Sequence, residues 1–326
     1  SILVQFNVSE SPAEERKLKE QWYEQLGVGH KLHAEMIEAA AAEYKANPDG
    51  RRGLANMLHS ALKHNFEDDR LEGMLGVAET LIKNNYPSEE LELYAAMSAF
   101  GVSNYDAAKP YLQNLAQDGK LSAELTVMLE ELDIAKKDWE QELKYREQDA
   151  QGEPLPRVLI RTTKGNIELE LFENQAPDTV GNFIYLAEKG FYDHLTFHRV
   201  LEHFMVQGGC PNGDGRGGAE WQIYDENGKP DSRKFFRGTI SMALGDPPNS
   251  ASSQFFITLV PTPQLNERFT AFGRVVDGID VLSNINRINP DKKDKNAPAV
   301  IPDEIITIEV LSKRNHEYKP NKVVRP

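Results

Sequence analysis

Phe197-His198-Arg199-Val200-Leu201-Glu202-His203-Phe204-Met205-Val206-Gln207-Gly208 is the stretch on which the fold of the second half of the chain turns. Arg199, Phe204 and Gln207 do not share one helical face. Read as strand, loop and strand, they converge on one side of a sheet. Arg199 then offers a permanent cation with a planar fork of donors. Gln207 offers an amide able to grip a peptide backbone, and Phe204 with Met205 supplies an apolar wall. No serine, cysteine or carboxylate stands among these residues as an obvious nucleophile or base. The group can hold and polarise a ligand without breaking a bond.

Further motifs follow in order: Gly215-Arg216-Gly217-Gly218, Ser241-Met242-Ala243, Ser253-Gln254-Phe255-Phe256-Ile257 and Phe272-Gly273-Arg274-Val275. With the opening stretch they make five ordered matches over about 80 residues, far more specific than a lone motif. Over roughly 157–312 the chain resembles the cyclophilin-type peptidyl-prolyl cis-trans isomerases. The resemblance implies a closed antiparallel β-barrel of eight strands with two capping helices, and a rotamase that accelerates rotation about X–Pro bonds in protein clients, with no cofactor. It implies that Arg199, Phe204 and Gln207 are the catalytic residues. Substrate contacts then fall to His198, Met205, Gly215, Ala243, Leu244, Gln254, Phe256, Leu265 and Phe269. Phe204, Met205, Phe256, Leu265 and Phe269 are expected to line the proline pocket, and Gln254 to support Gln207. Members known as cyclosporin receptors carry tryptophan where Gln264 stands, histidine at Phe269 and asparagine at Leu244, so weak cyclosporin binding is expected. The alternative reading is a non-catalytic proline-peptide binding module or holdase chaperone.

Outward from this core, the hydrophobic period is two in Val158-Ile160-Thr162 and in Ile167-Leu169-Leu171, with a turn at Lys164-Gly165-Asn166. This predicts a β-hairpin. Ala176-Pro177-Asp178 opens a helix that stops at Gly190. A second helix is expected over Asp277–Ile285, and a closing strand over Glu304–Leu311. The tail, 313–326, is basic and reads as draped or disordered. Gln151 to Pro156, with one glycine and two prolines, reads as a linker.

The first 150 residues read as α-helical. Residues 1–11 read as an extended or disordered lead, and Ser11 is expected to cap a helix that begins with Pro12. Gly27 and Gly29 are expected to break it, and a second helix to run from His30 to Ala46. Apolar residues then recur three and four apart in successive helical hairpins, for example Leu54, Met57, Leu58, Ala61 and Leu62. Residues 89–117 resemble one degenerate tetratricopeptide-like unit. A partner- or client-binding surface, or self-association, is the role expected of this half.

Composition bounds the rest. Net charge is −14. Residues 1–150 hold 28 acidic and 16 basic side chains, a balance of −12; residues 151–326 hold 23 and 21, a balance of −2. An acidic helical half argues against nucleic acid or an anionic membrane as its partner. No apolar run approaches the roughly 20 residues needed to cross a bilayer. The single cysteine, Cys210, allows no intramolecular disulfide and no Cys-rich zinc site. It suits cytoplasm and bacterial periplasm equally, and a bacterial source is expected. Ser1-Ile2-Leu3-Val4 carries neither an initiator methionine nor a signal-peptide pattern, which is compatible with a trimmed start whose export signal is gone.

Overall fold

The computed structural model describes residues 12–292 and 300–324. The expected lead over 1–11 and its Ser11 cap lie outside the described residues. Among the described residues six helices precede the sheet: α1 (Pro12–Ala46), α2 (Arg52–Glu67), α3 (Met74–Lys83), α4 (Leu91–Gly101), α5 (Tyr105–Gln117) and α6 (Ala123–Gln151). α1 runs unbroken through Gly27 and Gly29, which corrects the expected pair of helices. A glycine in a helix interior costs only about 1 kcal/mol relative to alanine, and a long alanine-rich helix tolerates two. No described helix is long and apolar enough to cross a membrane.

The helical half packs through the faces its periodicity marks. Leu58 and Leu62 of α2, Val77 and Leu81 of α3 and Leu91 and Tyr94 of α4 share one core with Ile37 and Tyr44 of α1. Phe100, Ala108, Leu112, Leu125 and Leu132 form the next layer toward α6. Each fully buried leucine or phenylalanine here contributes on the order of 1.5–3 kcal/mol. The expected tetratricopeptide-like unit, 89–117, falls on the single hairpin α4–α5, and the Asn104 side chain accepts from the Ala107 N–H at its turn. α6 ends at Gln151, one residue into the expected linker.

The second half is an eight-stranded antiparallel sheet: β1 (Arg157–Thr162), β2 (Gly165–Leu171), β3 (Arg199–Leu201), β4 (Met205–Gly208), β5 (Thr239–Met242), β6 (Phe255–Thr258), β7 (Ala271–Asp277) and β8 (Ile305–Ser312). The order across the sheet is β3-β4-β6-β5-β7-β2-β1-β8. β1 and β2 are the expected hairpin, and their inward residues Val158, Ile160, Ile167, Leu169 and Leu171 are fully buried. Two helices pack with the sheet, α7 (Pro177–Glu188) and α8 (Ile279–Asn284). α7 sends Val180, Phe183 and Ile184 into the main core.

The expected closed barrel is an open, curled sheet with β3 and β8 at its edges. Between those edges the described residues show one isolated bridge, Thr196↔Glu304, with backbone hydrogen bonds from Phe197 to Asp303 and from Ile305 to Leu195. β3 is only three residues long, too short for a second ladder, so the approach is made by the chain that precedes it. β3's free flank is covered instead by Ile288, whose backbone exchanges both hydrogen bonds with Val200 (2.8 and 3.0 Å).

The two halves are tied by charge as well as by contact. Arg233, whose side chain is fully buried, donates to Glu142 and Asp149 of α6. Arg237 donates to Glu72, and Trp139 meets Phe236 edge-on at 4.8 Å. The tail is laid on the sheet domain: Tyr318 is buried and donates to Glu173, and Val323 donates to the Gln222 carbonyl.

Candidate active site

Register decides which residues meet. Val200, Val206, Ile257 and Ile240 are cross-strand neighbours on β3, β4, β6 and β5, and all four lie in the main core. Side chains alternate along a strand, so the next positions face the other way. Those positions form a second row, Arg199↔Gln207↔Phe256↔Ser241, continued to Ala271 on β7. Residues 57 apart in sequence thereby stand in line on one face.

Along that row the chemistry changes from polar to apolar. Arg199 is about one-third exposed (31%), and its ion pair is a loose one, 3.9 Å from the exposed Asp291. Its guanidinium is therefore neither buried nor tightly committed. Gln207 donates from Nε2 to Oε1 of Gln254 at 3.0 Å. The Gln254 amide in turn donates to the Gly215 carbonyl (2.8 Å) and the Gly217 carbonyl (2.7 Å). Gln254 thus fixes the Gln207 side chain and the glycine loop at once.

Beyond Gln207 the face is hydrophobic. Met205, Phe256, Leu265 and Ala271 form a separate small cluster with Phe235, and Phe204, Ala243 and Phe269 pack against it. Phe269 meets Phe256 edge-on at 5.5 Å. The Ala243 N–H is spent on the Gln254 carbonyl at 2.9 Å, and Leu244 packs on the main core. Eight of the expected residues therefore converge: Arg199, Phe204, Met205, Gln207, Gln254, Phe256, Leu265 and Phe269. Ala243, Leu244 and Gly215 border a neighbouring groove of 660 Å³, which also takes in Gln207, Trp221 and Lys322.

His198 lies beneath the glycine loop, where a Cβ on Gly215 would come within 3.5 Å of its Nε2. It is buried, and burial pushes its imidazole below the usual range against the opposing pull of the Thr196 backbone and Asp214. The ring acts as a spacer beneath the loop.

Sequence reasoning missed Phe235, which stacks on Phe256 at 5.9 Å with the rings 13° apart. It precedes β5 in an irregular segment, so no periodicity marks it. Asn266 was missed too: its Oδ1 accepts from the Phe235 N–H, and its Nδ2 donates to Asp138 of α6. Lys322, from the tail, sits over the Trp221 ring at 4.0 Å and walls the groove. Its only sequence signal was a basic tail.

Comparison with known proteins bears on the same residues. The family model "Cyclophilin type peptidyl-prolyl cis-trans isomerase/CLD" matches residues 157–310. The "Peptidyl-prolyl cis-trans isomerase-like 1" of Neurospora crassa is 43% identical over 145 residues, 44% of this chain and 88% of that protein. The "Peptidyl-prolyl cis-trans isomerase ppi1" of Schizosaccharomyces pombe is 43% identical over 143 residues, 43% of this chain and 92% of its own. A crystal structure of the cyclophilin type isomerase cgd2_1660 of Cryptosporidium parvum covers 49% of this chain and 99% of its own, at 33% identity and a TM-score of 0.43. These relatives are eukaryotic and give no support to the expected bacterial source. With most of each relative's length matched at this identity, the chain belongs to the cyclophilin-type peptidyl-prolyl cis-trans isomerase family, and its activity is peptidyl-prolyl isomerisation.

Proposed function

We propose that this isomerase acts on X–Pro bonds of protein clients as a folding assistant, with Arg199 stabilising the twisted amide. Rotation about a peptide bond meets a barrier of roughly 18–20 kcal/mol because it destroys amide resonance. Trans is preferred at X–Pro by only about 0.5–1 kcal/mol, so both isomers are populated and their exchange is slow. In the twisted state the proline nitrogen regains a lone pair. A donor aimed at that nitrogen binds the twisted amide better than the planar one, and such differential binding is what accelerates a reaction.

The observation that carries this reading is the row Arg199–Gln207–Phe256. A proline ring seated among Phe204, Met205, Phe256, Leu265 and Phe269 puts its nitrogen toward the polar end of the row. Gln207, held by Gln254, takes the substrate backbone, and the half-buried segment Ala243-Leu244 takes the residues that precede proline. Arg199 is charged at any working pH, so the step needs no acid or base. The helical half, with its balance of −12, serves to hold clients or a second copy of the chain.

The test is a coupled assay on a short proline peptide with Arg199→Ala. The fold should survive and kcat/KM should fall by roughly two orders of magnitude, the scale of removing one electrostatic stabiliser. A rate equal to that of the unmodified protein would remove Arg199 from the mechanism.

A further inference from the structure

Arg199, Phe204 and Gln207 all lie on one short hairpin, β3–β4, at the edge of the sheet. A three-residue edge strand is poorly held by its own ladder. Its turn, Glu202-His203-Phe204, has His203 at φ = +53°, a left-handed conformation that a non-glycine residue keeps only when its surroundings hold it there.

What holds it comes from the helical half. Asp69, in the turn after α2, is completely buried and itself has φ = +59°. Its Oδ1 accepts from the backbone N–H of His203 at 3.0 Å and from the His203 ring Nδ1 at 2.7 Å. Its Oδ2 accepts from Arg287 Nη2 at 2.8 Å. Its backbone carbonyl takes Arg237 Nη2 at 2.7 Å and the Ser283 hydroxyl at 3.1 Å. Phe66, three residues earlier, stacks obliquely on the His203 ring at 4.4 Å.

Three of these groups from the sheet half, His203, Arg287 and Arg237, lead back to the hairpin. His203 is its turn and immediately precedes Phe204. Arg287 precedes Ile288, the residue that covers Val200 beside Arg199. Arg237 also donates to the Leu259 carbonyl, and the Leu259 N–H donates to the Phe204 carbonyl at 2.8 Å. One buried carboxylate residue therefore clamps the turn, the outer flank of β3 and the start of β4.

We infer that Asp69, a residue of the helical half, is a positioning residue for isomerisation, fixing the β3–β4 hairpin that presents Arg199, Phe204 and Gln207. A displacement of about 1 Å at such a group is enough to cost a large factor in rate. The helical half is on this account part of the isomerase site's framework as well as a place for partners. The inference rests on the reading of Arg199 given above, and its test separates the two.

The experiment uses the full chain, with Asp69→Ala, Asp69→Asn, Arg199→Ala and the Asp69→Ala/Arg199→Ala double variant, assayed on a short proline peptide well below the melting temperature. Leu112→Ala, in the helical core away from the site, is the control for lost stability alone. Asp69→Ala should lower kcat/KM about 10-fold, chiefly through kcat. Asp69→Asn, which keeps an acceptor for the His203 N–H, should fall between. Leu112→Ala should lower the melting temperature with kcat/KM unchanged. Adding Asp69→Ala to Arg199→Ala should cost less than the factor it costs alone, the mark of two residues acting through one device.

A folded Asp69→Ala protein with the unmodified rate would overturn the inference, as would losses that simply multiply when Arg199→Ala is itself slow. Should Asp69→Ala fail to fold, His203→Asn removes the ring contact from the barrel side while tolerating the left-handed turn. An unmodified rate in that variant overturns the inference equally. If Arg199→Ala is fully active while Asp69→Ala is slow, the role of Arg199 fails and the positioning of the hairpin by Asp69 stands.

Discussion

Glu142 and Arg233, 91 residues apart, meet across the boundary between the helices and the sheet: the Arg233 Nε donates to one Glu142 carboxylate oxygen at 2.8 Å and its Nη2 to the other at 3.0 Å. Both side chains are buried, and the guanidinium lies 3.9 Å over the Phe172 ring. Two residues further on, Phe235 forms the back of the apolar cluster against Phe256. The contact therefore joins α6 to the segment that backs the proposed proline pocket.

Removing Glu142 leaves Arg233 with Asp149 as its remaining carboxylate partner. Glu142→Gln should destabilise the chain by less than the roughly 3–5 kcal/mol that a wholly uncompensated buried charge costs. The pair also sets an acid limit. Burial pushes Glu142 up, but Arg233 and Arg146 more than offset it and hold the carboxyl below its usual range. A folded-state value below the unfolded one means that the contribution is fully present above about pH 4.5 and fades as pH falls through the folded value. Urea unfolding at stepped pH should show the gap between the unmodified protein and Glu142→Gln narrowing only below that point. A gap constant down to pH 3 would contradict it.

Gln254 carries three hydrogen bonds that the site relies on, one from Gln207 and two to the glycine-loop carbonyls. Gln254→Leu keeps much of the volume and loses all three. At about 0.5–1.5 kcal/mol each for neutral bonds, the three together are worth at least about 1.5 kcal/mol, so KM should rise at least roughly 10-fold on a peptide that extends N-terminal to proline. The effect should shrink on a minimal Xaa-Pro substrate. Equal effects on both peptides would show that Gln254 does not organise the groove.

Gln264 is exposed on the short 3-10 turn Pro263–Leu265, next to the buried Leu265 of the pocket wall. A side chain there borders the pocket without filling it. Cyclosporin should bind weakly, and Gln264→Trp should tighten binding by about 1–3 kcal/mol if a large apolar contact is created. Calorimetric titration checks both, and tight binding by the unmodified protein would refute the assignment of Gln264.

His316 stacks on Tyr318 at 4.2 Å and pairs with Glu173, which helps to seat the tail that carries Lys322 to the groove. The Glu317 carbonyl and the Glu173 carboxylate hold its imidazolium above the usual range. A folded-state value above the unfolded one means that the contribution is complete below about pH 6.5 and is lost as pH rises through the folded value. The Val323 amide should therefore exchange faster with solvent by pH 9 than the chemical rate alone predicts, and His316→Gln should abolish the difference. Protection that is identical at pH 6 and pH 9 would exclude His316 as a latch.

Most of the sheet half was legible in the sequence because its evidence is local. Alternation in Val158–Leu171 specifies a hairpin with one buried face, and Pro177 with a stop near Gly190 specifies α7. The five motifs brought Arg199, Phe204, Gln207, Gln254 and Phe256 to one site through the order of the strands. Tertiary structure alone decided what surrounds them. Asp69 reads locally as a polar turn residue, Glu142 as one charge among many on a long helix, and Arg233 and Phe235 as loop. Their burial arises only when segments about 20 to 220 positions apart are brought together, and such pairings leave no period behind. The open edge between β3 and β8 was decided the same way, by the three-residue length of β3. The unbroken α1 has another cause: two weak helix formers are outvoted by the 35-residue run around them. Periodicity reports which face of an element is apolar; which other element covers that face is a property of the folded chain.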